Sequence, residues 1–254
     1  MQHIDMLGLT FFSGTPTDAL TTIDHFIDSG KPHCIFTPNL NHIALLNRER
    51  KFIKKYNSAE LLLIDGAPLV WLARVFLHVK ATRINGTNMV EQLLYRCNQK
   101  RRRVFFLGST QKVLQKLKGT ISRSHPRLQC HYFAPPFRDH FNEEELQIIY
   151  RKIIRCKPHV LFVSFGALKQ EKFITRAKSV IRVPVSMGVG NAFEYIAHVR
   201  PRAPRWIQWI GFEWLFRLFQ EPGRLWKRYV YDLSTFIKIY MQFIIKKRRT
   251  IGYI

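Results

Sequence analysis

Residues 61–71 are Leu-Leu-Leu-Ile-Asp-Gly-Ala-Pro-Leu-Val-Trp, and this stretch decides the fold class. Four apolar residues run directly into one carboxylate, Asp65, which Gly66 and then Pro68 follow at the expected start of a helix. A buried strand delivers a side chain to the rim of a sheet in this way, and open α/β sheets bind ligands outside the carboxyl ends of their strands. Asp65 is therefore the first candidate for chemistry. The alternative is that Asp65 caps the following helix or turn, where Asp is favoured.

The same alternation of strand and helix extends along most of the chain. Apolar runs predict strands at residues 33–37, 61–64, 103–107, 128–133, 159–165 and 184–189. Helical spacing predicts helices at 17–29, 39–55, 68–77, 87–97, 143–155 and 169–180, and a further helix that ends near 123. Short connections between such elements are typical of a parallel sheet with helices on both faces. We predict an α/β, Rossmann-like domain.

The charge indicates an anionic partner. The chain of 254 residues is 46% hydrophobic and 23% charged, which is typical of a globular protein. It has 41 Lys plus Arg against 17 Asp plus Glu, a net charge of +24. Nucleic acid, an acidic membrane surface and phosphorylated substrates all fit such a charge.

The cysteines and the N-terminus indicate a cytosolic protein. Cys34, Cys97, Cys130 and Cys156 are widely spaced and form no Cys-x-x-Cys pair, so we expect reduced thiols. The first residues do not place a basic segment before an apolar one, so no signal peptide is expected. No apolar run approaches the ~20 residues of a membrane span, and we expect any membrane contact to be peripheral.

The composition changes near residue 200. From Arg200 onward the chain has 12 Lys or Arg against three acids and no strand pattern, so we divide it into a catalytic domain, 1–199, and a helical basic appendage, 200–254. Apolar residues recur at helical spacing in the appendage and precede a basic run at residues 246–249; they are Trp226, Tyr229, Val230, Leu233, Phe236, Ile237, Tyr240, Phe243 and Ile244. Such a row either docks on the protein's own core or lies in an anionic membrane surface, and we favour the membrane.

Other candidate side chains lie where strands end. Thr37 and Asn39 follow the first predicted strand, and each is either a ligand contact or a helix cap. Gly188-Val189-Gly190 follows the last strand and either turns backbone amides toward a phosphate or forms a tight turn. The pair Gln170-Glu171 begins a helix, and Arg83 is able to fork onto a phosphate.

The sequence lacks the motifs of metal-dependent hydrolysis and of P-loop nucleotide chemistry. The sequence contains no Asp-x-Asp pair, no His-Glu-x-x-His and no Gly-x-x-x-x-Gly-Lys-Ser/Thr loop. Metal-dependent hydrolysis and P-loop chemistry are not expected, and we expect no metal or other cofactor.

Several short motifs occur together in one order. They are Thr37-Pro38-Asn39, Asp65-Gly66 with Pro68 and Trp71, Arg83 with Gly86, Phe106-Leu107-Gly108, Gln170-Glu171, Gly188-Val189-Gly190, Arg202-Ala203-Pro204 with Trp206, Gly211-Phe212-Glu213-Trp214-Leu215-Phe216-Arg217-Leu218, and Glu221-Pro222 with Arg224. This ordered set resembles the bacterial WecG/TagA/CpsF-type glycosyltransferases, typified by the N-acetylmannosaminyltransferase of wall teichoic acid synthesis and its enterobacterial-antigen and capsule relatives. The segments Arg-Ala-Pro and Glu-Trp-Leu-x-Arg-Leu are its most specific parts.

The resemblance implies an enzyme that transfers a sugar from a UDP-sugar to a polyprenyl-diphosphate-linked sugar with inversion and without a metal ion. It also implies that this enzyme is bound peripherally at the inner face of the bacterial cytoplasmic membrane. The family's base falls on Asp65. Its substrate-binding residues fall on Thr37, Asn39, Arg83 and Gln170, and we add Gly66, Glu171, Gly188 and Gly190. The family's basic C-terminal appendage falls on residues from 200 onward, where Arg217, Arg224 and Arg228 are expected to face the diphosphate.

The donor sugar and the acceptor stay open at this point, as does the oligomeric state. The family often has Asp, Pro, Asp and Gly where this chain has Asn88, Leu168, Glu194 and His198, so N-acetylmannosamine, its uronic acid and related hexoses all remain candidates. The alternative from another class is a basic nucleic-acid-binding protein. A nicotinamide enzyme built on Gly188-Val189-Gly190 is a third possibility, although no acid follows at the usual ~20-residue offset.

Overall fold

The computed structural model describes residues 3–138 and 140–251, and of residues 243–251 it describes the backbone alone. The strands are β1 (His3–Met6), β2 (Leu9–Phe12), β3 (His33–Phe36), β4 (Leu61–Leu62), β5 (Arg103–Gly108), β6 (Gln129–Phe133), β7 (Val160–Ser164) and β8 (Val185–Gly188). The helices are α1 (Pro16–Ser29), α2 (Leu40–Arg48), α3 (Arg50–Tyr56), α4 (Ala67–Phe76), α5 (Gly86–Gln99), α6 (Gln111–Ser124), α7 (Glu143–Cys156), α8 (Lys169–Ile181), α9 (Ala192–Ile196), α10 (Arg205–Ile210), α11 (Glu213–Gln220) and α12 (Pro222–Ile251).

Six strands form one sheet in the order β4-β3-β8-β7-β5-β6, and every neighbouring pair is parallel. A strand that is buried on both faces needs apolar side chains at successive positions. In β7, for example, Leu161 and Val163 enter one core while Val160 and Phe162 enter the other. Helices α2, α3, α4, α7 and α8 contribute to the first core, and α1, α5, α6 and α9 to the second. The predicted Rossmann-like α/β sheet is confirmed.

Two local features differ from the sequence pattern. Residues 39–55, which the pattern predicts as one helix, form α2 and α3, because Glu49 leaves the helical region with φ −108° and ψ 52°. The N-terminal segment, for which the pattern predicts no strand, forms the antiparallel hairpin β1–β2. Its turn residues Leu7 and Gly8 have φ of 55° and 77°. Leu-Gly lacks the Asn-Gly or Asp-Gly signature by which such a turn is recognised.

The carboxyl ends of four neighbouring strands, β4, β3, β8 and β7, meet at one rim of the sheet. The chain keeps its parallel register beyond β4, because the Asp65 amide donates to the Pro38 carbonyl at 3.1 Å. The Ile84 amide then donates to the Ile64 carbonyl at 2.8 Å and holds the segment before α5 against the same strand. The loop after β3, Asp65 and the start of α5 therefore lie side by side.

Residues 205–251 form α10, α11 and α12, as predicted for this part of the chain, and α12 presents two different faces. Phe236, Ile239 and Tyr240 pack against the first core, and the rings of Tyr240 and Phe76 meet edge to face with centroids 4.8 Å apart. The other face exposes a row of apolar side chains, here called the exposed stripe, formed by Trp226, Val230, Leu233, Ile237 and Met241. The predicted apolar row is thus divided between core and surface, while Phe243, Ile244 and residues 246–249 lie outside the described side chains.

Within residues 3–138 and 140–251, none of the helices combines the length and the apolar character that crossing a membrane requires.

Candidate active site

Asp65 lies at the rim of the sheet, where two donors from the start of α5 hold its carboxylate. Oδ2 accepts a hydrogen bond from the Gly86 amide at 3.0 Å, and Oδ1 accepts one from Asn85 Nδ2 at 3.1 Å. The N-cap of α4 is Gly66, and no side chain caps that helix. Asp65 therefore does not cap α4, and its carboxylate instead accepts from the first backbone amide of α5. Its side chain is 17% exposed, so the carboxylate is accessible from outside.

The surroundings of Asp65 favour its neutral form. Burial raises the pKa of the Asp65 carboxyl from 3.8 to about 6; the Arg83 guanidinium and the Gly86 amide oppose this rise, Glu213 adds to it, and His42 opposes it. A carboxyl with this pKa is ionised at neutral pH and is a stronger base than an exposed aspartate. General bases work best when their pKa approaches the operating pH.

Arg83 joins Asp65 to the C-terminal segment. Its Nη2 donates to Glu213 Oε2 at 2.9 Å and lies 3.8 Å from Asp65 Oδ1, while its Nη1 donates to the Gln208 carbonyl at 2.8 Å. Both terminal nitrogens of the Arg83 guanidinium, which we expected to bind a phosphate of the substrate, thus donate to other residues of the protein. Arg83 Nε is buried and has no hydrogen-bond partner among the described residues.

The loop after β3 brings Thr37 and Asn39 beside Asp65. A Cβ placed on Gly86 would lie 3.1 Å from Thr37 Oγ1 and 3.3 Å from Asp65 Oδ2, so both side chains converge on the first residue of α5. Asn39 caps α2, since its Oδ1 accepts from the amides of Asn41 and His42. No hydrogen bond in the described part of the chain engages the Asn39 side-chain nitrogen, so this group is able to donate to a ligand.

Gln170 and Glu171 fasten the start of α8 to the end of β8. The Gly190 amide donates to Gln170 Oε1 at 3.1 Å, and Gln170 Nε2 donates to Glu171 Oε1 at 2.8 Å. A Cβ on Gly188 would approach Gln170 Nε2 to 2.8 Å, which explains glycine there. Glu171 has no exposed surface and its Oε1 lies 3.2 Å from His42 Nε2, so it supports the Asn39 loop from beneath.

The three arginines predicted to face a diphosphate lie on α11 and α12. Arg224 is exposed and pairs with Glu221, and Arg228 Nε lies 3.9 Å from Asp232 Oδ2. Arg217 Nε is buried without a partner among the described residues. Within that part of the chain, no hydrogen bond or ion pair joins any of the three to Asp65, and their role stays a prediction.

The structure adds residues that the sequence did not single out as functional. Asn85 donates to Asp65, Glu213 accepts from Arg83, and Arg202 Nη2 donates to Asn85 Oδ1 at 2.9 Å. His42 lies between Asn39 and Glu171. Arg202 and Glu213 stand in motifs that carry the family resemblance, and Asn85 lies between Arg83 and Gly86 of another; this was the signal that could have identified them.

Metal ligands do not cluster near these residues. In the ranges 3–138 and 140–251, no group of three or more His, Cys, Asp or Glu side chains is arranged to hold a metal ion. Arg83 and Arg202 supply positive charge at the site.

The model of the Glycosyl transferase WecG/TagA/CpsF family matches residues 4–250. The chain belongs to this family. A relative from Bacillus subtilis (strain 168), N-acetylglucosaminyldiphosphoundecaprenol N-acetyl-beta-D-mannosaminyltransferase, is 28% identical over 204 residues, which are 80% of this chain and 77% of that protein. A relative of the same name from Staphylococcus aureus (strain MW2) is 25% identical over 251 residues, 98% of this chain and 94% of that protein.

Membership decides between the classes of function that the charge left open. The protein is a glycosyltransferase, and the resemblance carried by the ordered motifs is confirmed. Neither the family nor these relatives support the alternative hypotheses of a nucleic-acid-binding protein and of a nicotinamide enzyme.

Proposed function

We propose that this glycosyltransferase moves a hexose from a UDP-sugar onto a polyprenyl-diphosphate-linked sugar with inversion at the transferred carbon, and that Asp65 is the general base. The observation that carries the proposal is the largely buried Asp65 carboxylate with a pKa of about 6 at the rim of the sheet. The two relatives are named for transfer of N-acetylmannosamine to N-acetylglucosaminyl-diphosphoundecaprenol. The donor here is N-acetylmannosamine, its uronic acid or a related hexose.

The reaction requires one base and stabilisation of the leaving group. The acceptor hydroxyl oxygen attacks the anomeric carbon of the donor and forms the new glycosidic bond as the bond from that carbon to the UDP phosphate oxygen breaks. Asp65 takes the hydroxyl proton, and UDP leaves with the bonding electron pair. A well-placed base accelerates such a step by about 10² to 10⁴.

Donors around Asp65 support the binding of a nucleotide diphosphate. Among them, the Asn39 side-chain nitrogen has no hydrogen-bond partner in the described part of the chain, whereas the Thr37 hydroxyl already donates to the Gly188 carbonyl at 3.5 Å and the Gly190 amide to Gln170 Oε1 at 3.1 Å. Arg217, Arg224 and Arg228 of the appendage add cationic groups, which we assign to the diphosphates. Arginine forks and helix N-termini neutralise such charge without a metal ion.

The C-terminal appendage, residues 200–254, supports attachment to an anionic membrane. Besides the exposed stripe of α12, the appendage exposes Trp206, Trp209 and Phe219 on α10 and α11, and Arg224 and Lys227 lie close to the stripe in sequence. Aromatic and basic residues on one helix are what an interfacial helix needs. We infer a peripheral location at the inner face of the cytoplasmic membrane, where the lipid-linked acceptor resides.

A transfer assay tests the proposal. Purified protein is incubated with a panel of UDP-sugars and a short-chain polyprenyl-diphosphate-linked N-acetylglucosamine, with and without a chelator. We expect one donor to be transferred in both conditions, with inverted anomeric configuration by NMR. Absence of transfer with every pair would contradict the proposed function, and loss of transfer in chelator would contradict only its metal independence.

A further inference from the structure

Glu213, the first residue of α11, belongs to the appendage, but its carboxylate lies beside Arg83 and Asn85, the two side chains that contact Asp65. The side chain is 11% exposed, and its Oε2 accepts from Arg83 Nη2 at 2.9 Å. Its Oε1 lies 3.5 Å from Arg202 Nε. A carboxylate is retained in such a place only when it is paired, because burying an unpaired charge is costly.

Glu213 and Asp65 share two donors. Arg83 Nη2 lies 2.9 Å from Glu213 and 3.8 Å from Asp65, while Asn85 Nδ2 lies 3.4 Å from Glu213 and 3.1 Å from Asp65. The guanidinium therefore makes its closer bond to Glu213, and the neutral amide makes its closer bond to Asp65. Arg202 fixes this division, since its Nη2 donates to Asn85 Oδ1 at 2.9 Å and so directs Nδ2 of the same side chain toward the carboxylates.

The division of donors matters for a base. A guanidinium in direct contact with a carboxylate favours the ionised form and lowers its pKa by about 1 to 3 units. Asp65 is faced by Arg83, Glu213 and His42, and Glu213 is faced by Arg83, Arg202 and Tyr195. Without Glu213, the nearest carboxylate to Arg83 would be Asp65 itself.

The contact between Arg83 and Glu213 also depends on the position of the appendage against the catalytic domain. Arg83 Nη1 donates to the Gln208 carbonyl at the end of α10, so one side chain bonds to both α10 and α11. Gly211 between these helices packs directly on Ala67 of α4, the helix that follows Asp65. Movement of α10 and α11 would remove Glu213 and free the Arg83 guanidinium.

We propose that Glu213 is a positioning residue: it holds the Arg83 guanidinium at 3.8 Å from Asp65 and so keeps Arg83 from forming a closer, hydrogen-bonded ion pair with Asp65. Asp65 thereby stays a competent base only while the appendage is seated on the catalytic domain. This inference rests on the proposed function. Glu213 itself contacts neither the reacting hydroxyl nor the donor.

The test compares Glu213→Gln with the wild type. Glutamine keeps the shape but leaves the Arg83 charge uncompensated, so the acid limb of the pH profile of kcat/KM is expected to move to lower pH by about one unit. The Asp65 carboxyl resonance in a ¹³C NMR titration should move by the same amount, and kcat above pH 7 should fall while KM for the donor stays within about twofold. Glu91→Gln is the matched control, because Glu91 lies 3.8 Å from Arg202 Nη1, is half exposed and contacts neither Arg83 nor Asn85.

Glu213→Asp provides the second variant. It keeps the charge on a shorter side chain, so its acid limb should lie between those of the wild type and Glu213→Gln. If Glu213→Gln does not fold, Glu213→Asp decides alone, with a lowered limb as the expected result. A limb and an Asp65 titration that stay at wild-type positions in the folded variants would overturn the inference. Failure of the wild type to transfer sugar would contradict the proposed function instead, and the NMR titration would still test Glu213.

Discussion

At the scale of single residues, the environment of Asp65 connects catalysis to pH. Burial raises the pKa of its carboxyl to about 6. Since the ionised form is the base, kcat/KM should be level above about pH 7 and should fall tenfold per pH unit well below pH 6. A pH profile with the preferred donor measures this. An acid limb near pH 4 would show that Asp65 titrates like an exposed aspartate and would contradict the account.

The same burial has a cost in stability. The folded state binds the Asp65 proton more tightly than the unfolded chain, because the folded pKa is about 6 against 3.8 for an ordinary aspartate. The contribution of Asp65 to the stability of the wild type should therefore fall as pH rises from about 4 to about 6. Asp65→Asn lacks this fall, so it should be more stable than the wild type at pH 8, by on the order of 1 to 2 kcal/mol, and no more stable at pH 4. Urea unfolding at both pH values provides the measurement, and a variant less stable at pH 8 would contradict it.

Asp65, Thr37 and Asn39 could be located from the sequence because each follows a recognisable strand, and parallel strands place such residues at one rim. Glu213 and Arg202 could not be located in this way. They reach Arg83 and Asn85 from more than a hundred residues away, and no local period encodes such a contact. The same limit applies to Glu171, a polar residue beside Gln170 whose complete burial and contact with His42 only the structure reveals.

At the scale of elements, the turn between α10 and α11 fixes how the appendage is seated. Gly211 has φ 85°, and a Cβ there would come within 2.6 Å of the Ala67 Cβ. We expect Gly211→Ala to displace α10 and α11 from α4, to lower transfer activity at least tenfold and to make this segment more sensitive to protease. Both the strain of a positive φ and the clash act in the same direction.

Gly223→Ala is the control for this substitution. Gly223 lies in the first turn of α12, and a Cβ there would meet no atom within 4 Å. Alanine is favoured over glycine in a helix. Wild-type activity and protease resistance are expected for Gly223→Ala; the same values in Gly211→Ala would show that the close approach to α4 is dispensable.

The helices and strands of the sheet were predictable because their apolar periods are long and agree with their caps, as in α7, where Asn142 caps a first turn of three glutamates. The β1–β2 hairpin was not, because its four-residue strands are short and its turn has an uncommon sequence. The period of α12 revealed its apolar residues but not which of them would be covered, since Phe236 and Ile237 are adjacent and only the first packs against the core.

At the scale of the whole molecule, the net charge of +24 and the exposed stripe act together on a membrane. We expect the protein to sediment with vesicles that contain anionic lipid and to bind them more weakly as salt is raised. The double variant V230S/I237S should weaken this binding at least fivefold and leave the thermal unfolding temperature unchanged, because both side chains are half exposed. Binding that survives in the double variant would show that the stripe faces water.

The matched control is I148S/V180S, which removes two similarly exposed apolar residues from α7 and α8. These helices cover the sheet at a distance from α12 in sequence, and the control should bind vesicles as the wild type does. Equal losses in both double variants would indicate a general effect of surface hydrophobicity rather than a surface made by the appendage.

The central claim is that the Asp65 carboxylate removes the acceptor proton. The most direct test is the rate of sugar transfer by Asp65→Asn at saturating donor and acceptor, in the presence of chelator, beside the wild type. Asparagine keeps the size of the side chain and cannot accept the proton, so we predict a fall in kcat of about 10² to 10⁴ with the circular dichroism spectrum of the folded protein retained. A folded Asp65→Asn variant that transfers sugar at the wild-type rate would contradict the account.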